Sequence, residues 1–237
     1  MDSTGKVYIA DSQNLRVRVL TPTGSAIASP SITAVTNAAS NLAGPIAPCE
    51  IVVIIGSGLG PSNLVTGLIA DPVVTFDGVP ADLIYAEATQ IAASVPYGVA
   101  GKTSTVVQVQ YRDQLTSATT VPVAATAPGL FTLDASGSGQ GAILNQDGST
   151  NSPGNPAAKG STVSLFATGT GIPQQSIVAG INSEGSTVTS AVPVPGLVGV
   201  IQINVQVPND APSGSSIPVV IEAGGTFSQP SVTIAIQ

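Results

Sequence analysis

The stretch "VIQINVQVP" at 200–208 most tightly limits what this chain can become. Ile201, Ile203, Val205 and Val207 alternate with Gln202, Asn204 and Gln206. A period of two places the apolar set on one face and the amides on the other, which is the pattern of a β-strand with one buried face. "STVVQVQYRD" at 104–113 repeats the pattern with Val107, Val109 and Tyr111. "EIVVIIGSG" (50–58) and "TVSLFATG" (162–169) are short apolar runs, rich in β-branched residues, that stop at glycine. They read as buried strands. Turn chemistry separates the runs at short intervals: "FDGVP" (76–80), "YGVAG" (97–101), "QDGST" (146–150), "NDAPSG" (209–214) and "EAGGT" (222–226). No stretch sustains a capped helical stripe, so almost no helix is expected beyond a turn near Asn155–Lys159. The predicted class is all-β, a β-sandwich architecture.

The chain also repeats itself. "TQIAASVPYGVAG" (89–101) parallels "IQINVQVPNDAPSG" (201–214). Gln90 and Gln202, Val95 and Val207, and Pro96 and Pro208 are each separated by 112 positions; Gly56 and Gly58 precede Gly169 and Gly171 by 113. Two independent anchors at nearly one offset indicate a duplicated domain rather than a short-period solenoid. Two tandem sandwiches are therefore expected, at 28–126 and 127–237, after a short N-terminal hairpin within 1–27. An extra hairpin around Asp147-Gly148 is expected in the second, before its 161–168 strand. Register should turn Ile91, Ala93 and Val95 to one core and Ile201, Ile203, Val205 and Val207 to the other.

Composition narrows the function. Charged residues are 8% of the chain, with a net charge of −7 and only six Lys and Arg. These six are scattered, so no basic stripe exists to neutralise phosphates, and nucleic acid and anionic membrane surfaces are disfavoured as partners. No apolar run is long enough for a transmembrane helix. The start, "MDSTGKVYIADSQN", shows no signal-peptide pattern, and the single methionine is compatible with an internal piece of a longer protein. Histidine is absent and Cys49 is the lone cysteine. Neither a Ser–His nor a Cys–His pair can be built, and Cys49 is expected to be a small buried hydrophobe.

Several stretches have the outline of a site, and each has a plainer reading. "EIVVIIGSGLGPS" (50–62) approaches a dinucleotide fingerprint, but position 61 is Pro, and Pro72 with β-branched residues occupies the region where a helix should run. The surviving reading is a strand entering a tight corner that needs glycine. "LNQDGSTN" (144–151) spaces Asn145, Asp147, Ser149 and Asn151 like the start of a calcium loop. It lacks the closing Glu, and Asp-Gly is a hairpin signal; the turn is favoured, and calcium binding by Asn145, Asp147 and Asn151 stays open. Asp71, Asp77 and Asp82 read as isolated surface acids, Asp77 within a turn. Tyr85, Tyr97, Tyr111 and Phe131 are too few for a clear sugar-stacking platform, and most aromatics are assigned to the core. No catalytic, cofactor-binding or metal-binding residue is assigned.

"VVIIGSGLGPSN" (52–63) followed by "VTFDGVPADLIYAEATQIAASVPYGVAG" (74–101) resembles the TIG module, an immunoglobulin-like domain. Residues 31–237 also resemble the uncharacterised C-terminal domain of large exported proteins from Solibacter-type soil bacteria, through "GPIAPCEIVVIIGSGLGP", "APGLFTLDASGSGQGAILNQDGS" and "QINVQVPNDAPSG". "GKVYIADSQNLRVRVLTPTG" (5–24) resembles one NHL propeller repeat, with Gln13 and Leu15 where the repeat usually has Gly and His. A single repeat cannot close a propeller; a hairpin of Val7–Ala10 with Val17–Leu20 is expected instead. The resemblance implies a non-catalytic extracellular or cell-surface module that spaces, anchors or presents a larger exported protein. Two alternatives are carried: a fibre or surface-layer subunit that self-associates through exposed strand edges, and a carbohydrate or surface-polymer adhesin.

Overall fold

The computed structural model describes residues 29–237 and, before them, the backbone of two strands. These are β1 (Val7–Asp11) and β2 (Arg16–Leu20), an antiparallel pair with Ile9 opposite Arg18. They fall where the hairpin is expected. The remainder of the NHL-like stretch lies outside the described residues.

The strands that follow are short and almost all antiparallel. They are β3 (Ser31–Asn37), β4 (Ile51–Ser57), β5 (Val65–Thr66), β6 (Val73–Phe76), β7 (Val79–Pro80), β8 (Asp82–Ala86), β9 (Gln90–Ser94), β10 (Ser104–Tyr111), β11 (Gln114–Leu115) and β12 (Thr119–Pro122). One sheet has the order β3-β4-β9-β8-β5; the facing sheet has β11-β10-β6-β7, with β12 also on β10. Between them lies a core that includes Val52, Ile54, Phe76, Ile91, Val95 and Val107.

A second pair of sheets comes from β13 (Gly129–Leu130), β14 (Gly139–Gln140), β15 (Ile143–Leu144), β16 (Thr162–Thr168), β17 (Ile177–Ile181), β18 (Glu184–Ser186), β19 (Val188–Pro193), β20 (Ile201–Gln206), β21 (Gly214–Ala223), β22 (Thr226–Phe227) and β23 (Val232–Ile236). Their orders are β13-β16-β20-β19, with β15 on β16, and β14-β23-β21-β17-β18, with β22 on β21. A separate core including Val163, Leu165, Ile203, Val205, Ile221 and Ile234 fills this pair. The chain is all-β. Among the described residues the one helical element is the 3-10 turn Tyr97–Val99. The turn expected near Asn155–Lys159 closes over Ala158–Ser161, where the Ser161 N–H donates to the Ala158 carbonyl at 3.1 Å beside the bridges Ser152↔Asn155 and Ala157↔Ile236.

Alternation decides which side chains face each core. Ile91, Ala93 and Val95 are fully buried, as are Ile203, Val205 and Val207; Ile201, at the start of β20, faces the same core but is only half-buried. The outward residues of β20 form an uncharged ladder instead. Gln202 donates to Asn204 Oδ1 at 2.9 Å, Asn204 donates to Ser190 Oγ at 2.9 Å, and Ser164 Oγ lies 2.8 Å from Asn204 Oδ1. Pro96 and Pro208 fall just beyond β9 and β20, where a missing N–H costs the ladder nothing. The hairpin around Asp147-Gly148 is present, with Leu144 opposite Thr150 ahead of β16.

The glycines at the ends of the apolar runs answer the nucleotide question. A Cβ on Gly56 would stand 1.9 Å from the Ser31 carbonyl oxygen, and one on Gly169 would stand 2.0 Å from that of Ala127. In both copies the strand end presses on the backbone of an entering segment. Gly169 does so at φ +75°. Beyond Gly60 the chain passes through bends into β5, with no helix N-terminus to hold a pyrophosphate.

Candidate binding cleft at the joint

The two sheet pairs meet along the β3–β4 end of the first. Asn37, at the end of β3, folds its Oδ1 over the backbone N–H groups of Ala39 and Ser40 at 2.9 and 3.0 Å. Its amide then donates across the joint to the Ala127 carbonyl at 2.9 Å. Asn41 donates to the Ala135 carbonyl at 2.8 Å, and the Ile51 N–H donates to Thr168 Oγ1 at 2.8 Å. Gln229 grips Leu130 at both ends, accepting from its N–H at 3.0 Å and donating to its carbonyl at 2.7 Å. Close backbone approach reinforces these bonds: a Cβ on Gly137 would lie 2.3 Å from the Ser40 carbonyl oxygen.

Glu50, the residue before β4, is completely buried at this joint. Its Oε2 accepts the Ala47 N–H at 2.6 Å, while its Oε1 meets no hydrogen-bond donor. Burial pushes the carboxyl up to about 8; the Ala47 N–H and the Asn37 side chain pull it part of the way back. A buried carboxyl with an orphan oxygen favours its protonated form. Glu50 escaped the sequence reading because a lone acid ahead of an apolar run looks like a solvated strand start.

Beside the joint lies a cleft of about 940 Å³. Its floor is the outer face of the β3-β4-β9-β8 sheet. Cross-strand register sets a row Thr36–Val53–Ala92–Tyr85, beside Ile51–Ser94–Asp82 and Ile55–Gln90. A register shift between Leu83 and Tyr85 makes Ile84 an extra residue in β8. Strict alternation would put Asp82 and Tyr85 on opposite faces; the bulge brings both to the cleft. The opposite wall comes from the second sheet pair, with Phe131, Ala135 and the 196–200 loop, whose Leu197 is 56% exposed.

The aromatics are therefore not distributed as expected. Phe76 is in the core, but Tyr85 and Phe131 are half-buried in the cleft, Tyr97 is 64% exposed, and Tyr111 is half-buried beneath the Arg112 guanidinium, 5.0 Å from its ring centre. Cys49 is half-buried rather than buried, beside a smaller cavity that it lines with Tyr97; desolvation holds its thiol above the ordinary range.

The candidate acids stay apart in their engagements. Asp71 accepts the Arg112 N–H at 3.1 Å. Asp77, in its turn, accepts from Lys102 Nζ, Thr105 Oγ1 and the Val106 N–H, each at 2.8 Å. Lys102 first, then Val106 and Thr105, draw its carboxyl down to about 2. Asp82 alone faces the cleft. In the Asp147 turn, the carboxylate caps the Ser149 N–H at 2.9 Å. Asn151 is buried there, donating to Asn145 Oδ1 and the Ala235 carbonyl, both at 2.9 Å, and accepting the Ala235 N–H at 2.9 Å. Asn145 donates to the Asn155 carbonyl at 3.0 Å. Asn151 thus ties the hairpin to β23, and the side-chain oxygens of Asn145 and Asn151 already accept N–H groups of the protein.

Residues 30–123 match the family described as the IPT/TIG domain. Among solved structures, the chain is similar to the plexin A4 extracellular region, at 16% identity and a TM-score of 0.34, covering 93% of this chain and 19% of that one. It is also similar to SGBP-B from a complex xyloglucan utilization locus in Bacteroides uniformis, at 13% identity and a TM-score of 0.31, covering 86% and 49%. A third likeness is to γ-CGTase from alkalophilic Bacillus clarkii, at 14% identity and a TM-score of 0.30, covering 90% and 26%. The chain spans less than half the length of each. A search among curated proteins finds no match.

Proposed function

We propose that this chain is a non-catalytic Ig-like module, extracellular or at the cell surface, that spaces, anchors or presents a larger exported protein. In this reading residues 28–126 and 127–237 are its two sandwiches, residues 1–27 are the end of an NHL-type repeat, and the Solibacter-type resemblance supplies the exported setting. The observation that carries it is the joint: Asn37, Asn41 and Ile51 reach across to Ala127, Ala135 and Thr168, and Ser40 sits against Gly137 with no room for a side chain. A module that sets distance and direction needs two bodies that do not swivel, whereas most linked domains move by default. The absence of histidine and the separate engagements of Asp71, Asp77 and Asp82 support a role without turnover.

Two strand edges argue against the self-associating alternative. The outer edge of β23 is covered by β14 and by Ala157, and β19 carries a bulge between Val188 and Ser190 and stops at Pro193. Bulges and prolines blunt an edge against strand addition.

The test is a distance measurement. Spin labels at Ser117 and Ser215, both exposed, are placed in a Cys49→Ser background and read by double electron–electron resonance. A single narrow distance distribution is expected. A broad distribution spanning tens of ångströms would remove the spacing role.

A further inference from the structure

The cleft floor is an outer sheet face that is apolar at its centre and polar at its margins. Ala92 stands between Val53 and Tyr85 in register and leaves a trough; Phe131 and Leu197 look onto it from the other wall. We propose that this cleft binds a segment of an uncharged polysaccharide chain.

Charge gives the first argument. Among the described residues Asp82 is the one carboxylate in the lining, and no Lys or Arg lines it. A phosphorylated, sulfated or uronate ligand would meet no counter-charge there, on a chain whose net charge is −7. An uncharged ligand suffers no such penalty.

Side-chain chemistry gives the second. The Gln90 amide, the Tyr85 phenol and the Asp82 carboxylate, all at least partly exposed, stand among aliphatic side chains. A dry aliphatic ligand would desolvate these groups without replacing their hydrogen bonds. A pyranose has an apolar C–H face and a rim of hydroxyls. Its face suits Ile55, Val53 and the ring of Tyr85, and its rim suits Gln90 and Asp82, whose two carboxylate oxygens can accept from neighbouring hydroxyls.

The backbone gives the third. Within Ile51–Ile55, β4 is paired to β9 throughout and to β3 from Val52 on. That central part of the floor offers no free main-chain edge, so an extended peptide could not add there as a strand. Recognition must come from side chains. The volume lies at the top of the range for small-molecule pockets, which suits several linked sugars better than one.

The inference does not rest on the spacing role. Its test uses the full chain and isothermal titration calorimetry with cellohexaose, maltohexaose, xylohexaose and mannohexaose, and with oligogalacturonate as the anionic control. Saturable binding of at least one neutral hexasaccharide is expected at a Kd between micromolar and millimolar, with none for oligogalacturonate. Tyr85→Phe and Gln90→Ala should each weaken it by about threefold or more, and Ala92→Leu, which fills the trough, by about tenfold or more. Circular dichroism checks each fold; if Ala92→Leu does not fold, the half-buried Gln90 decides through Gln90→Ala. No heat from any neutral hexasaccharide at millimolar concentration overturns the inference. So does binding indifferent to every folded variant, or a preference for oligogalacturonate. A rigid joint without glycan binding would strike this inference and leave the spacing role standing.

Discussion

Replacing Glu50 with Gln should stabilise the protein at neutral and alkaline pH and do little in acid. The carboxyl rests near 8 in the fold against an ordinary value of 4.5. The folded state therefore holds a proton that the unfolded state has released. Stability from this group is fully present below about 4.5 and is lost as pH rises toward 8. Each unit of pH inside that window costs about 1.4 kcal/mol. From this carboxyl alone, the fold should be roughly 3 kcal/mol weaker at pH 7 than at pH 4. Glutamine keeps an oxygen for the Ala47 N–H and cannot ionise. At pH 4 the variant should lie within about 1 kcal/mol of the parent. At pH 7 it should be ahead by roughly 3 kcal/mol, a rise in melting temperature on the order of 10 °C for a chain this long. Urea unfolding followed by circular dichroism, for parent and variant at several pH values from 4 to 9, measures the difference directly. A difference that stays flat across that range, or shrinks as pH rises, would refute the account of Glu50.

Ile203→Asp should cost about 3 kcal/mol or more by placing an unpaired charge in the second core, where Ile203 is fully buried. Gln202→Asp, one residue along, should cost about 1 kcal/mol through the lost donations to Asn204 and Ser164; similar losses from the two would mean the faces of β20 are misassigned. Gly56→Ala should destabilise by about 2–4 kcal/mol, because its Cβ would overlap the Ser31 carbonyl oxygen, and an unchanged denaturation midpoint would show that the two backbones are not in contact. Asp77→Asn should lower the melting temperature at pH 7. The Asp77 carboxyl is held near 2, so its contribution is present above about 4 and fades as pH falls toward 2; parent and variant should converge in that window, and curves that stay apart at pH 2 would remove the Lys102–Asp77–Val106 arrangement as the cause.

The strands and both cores were legible because alternation is a local signal: "QINVQV" states its own two faces. The recurring strand end was legible for the same reason, since Val95-Pro96 and Val207-Pro208 each follow an alternating strand. The joint was not. Asn37 meets Ala127, and Ile51 meets Thr168, across long sequence separations, and nothing in "VTNAAS" or "FATGTG" marks a side chain for a distant carbonyl or N–H. The cleft was misread through β8. In "DLIYA" a period of two pairs Leu83 with Tyr85, and the tyrosine goes to the core. The bulge at Ile84 reverses that phase, and a bulge has no signature in so short a stretch. The aromatics were too few to announce a surface, yet two of them face one cleft.

The last strand, β23, is gripped along an edge that in most sheets lies open. Its Ser231 and Thr233 carbonyls accept the Gly139 and Gly141 N–H groups at 2.8 and 2.9 Å; Asn151 and Ala157 hold Ala235; and the Gln237 N–H reaches the Ala157 carbonyl at 2.9 Å. β14 runs parallel to β23. A pull applied at Gln237 and resisted from the first sheet pair would drag these two strands in opposite directions along their length. The bonds would then be loaded together in shear rather than peeled apart one at a time.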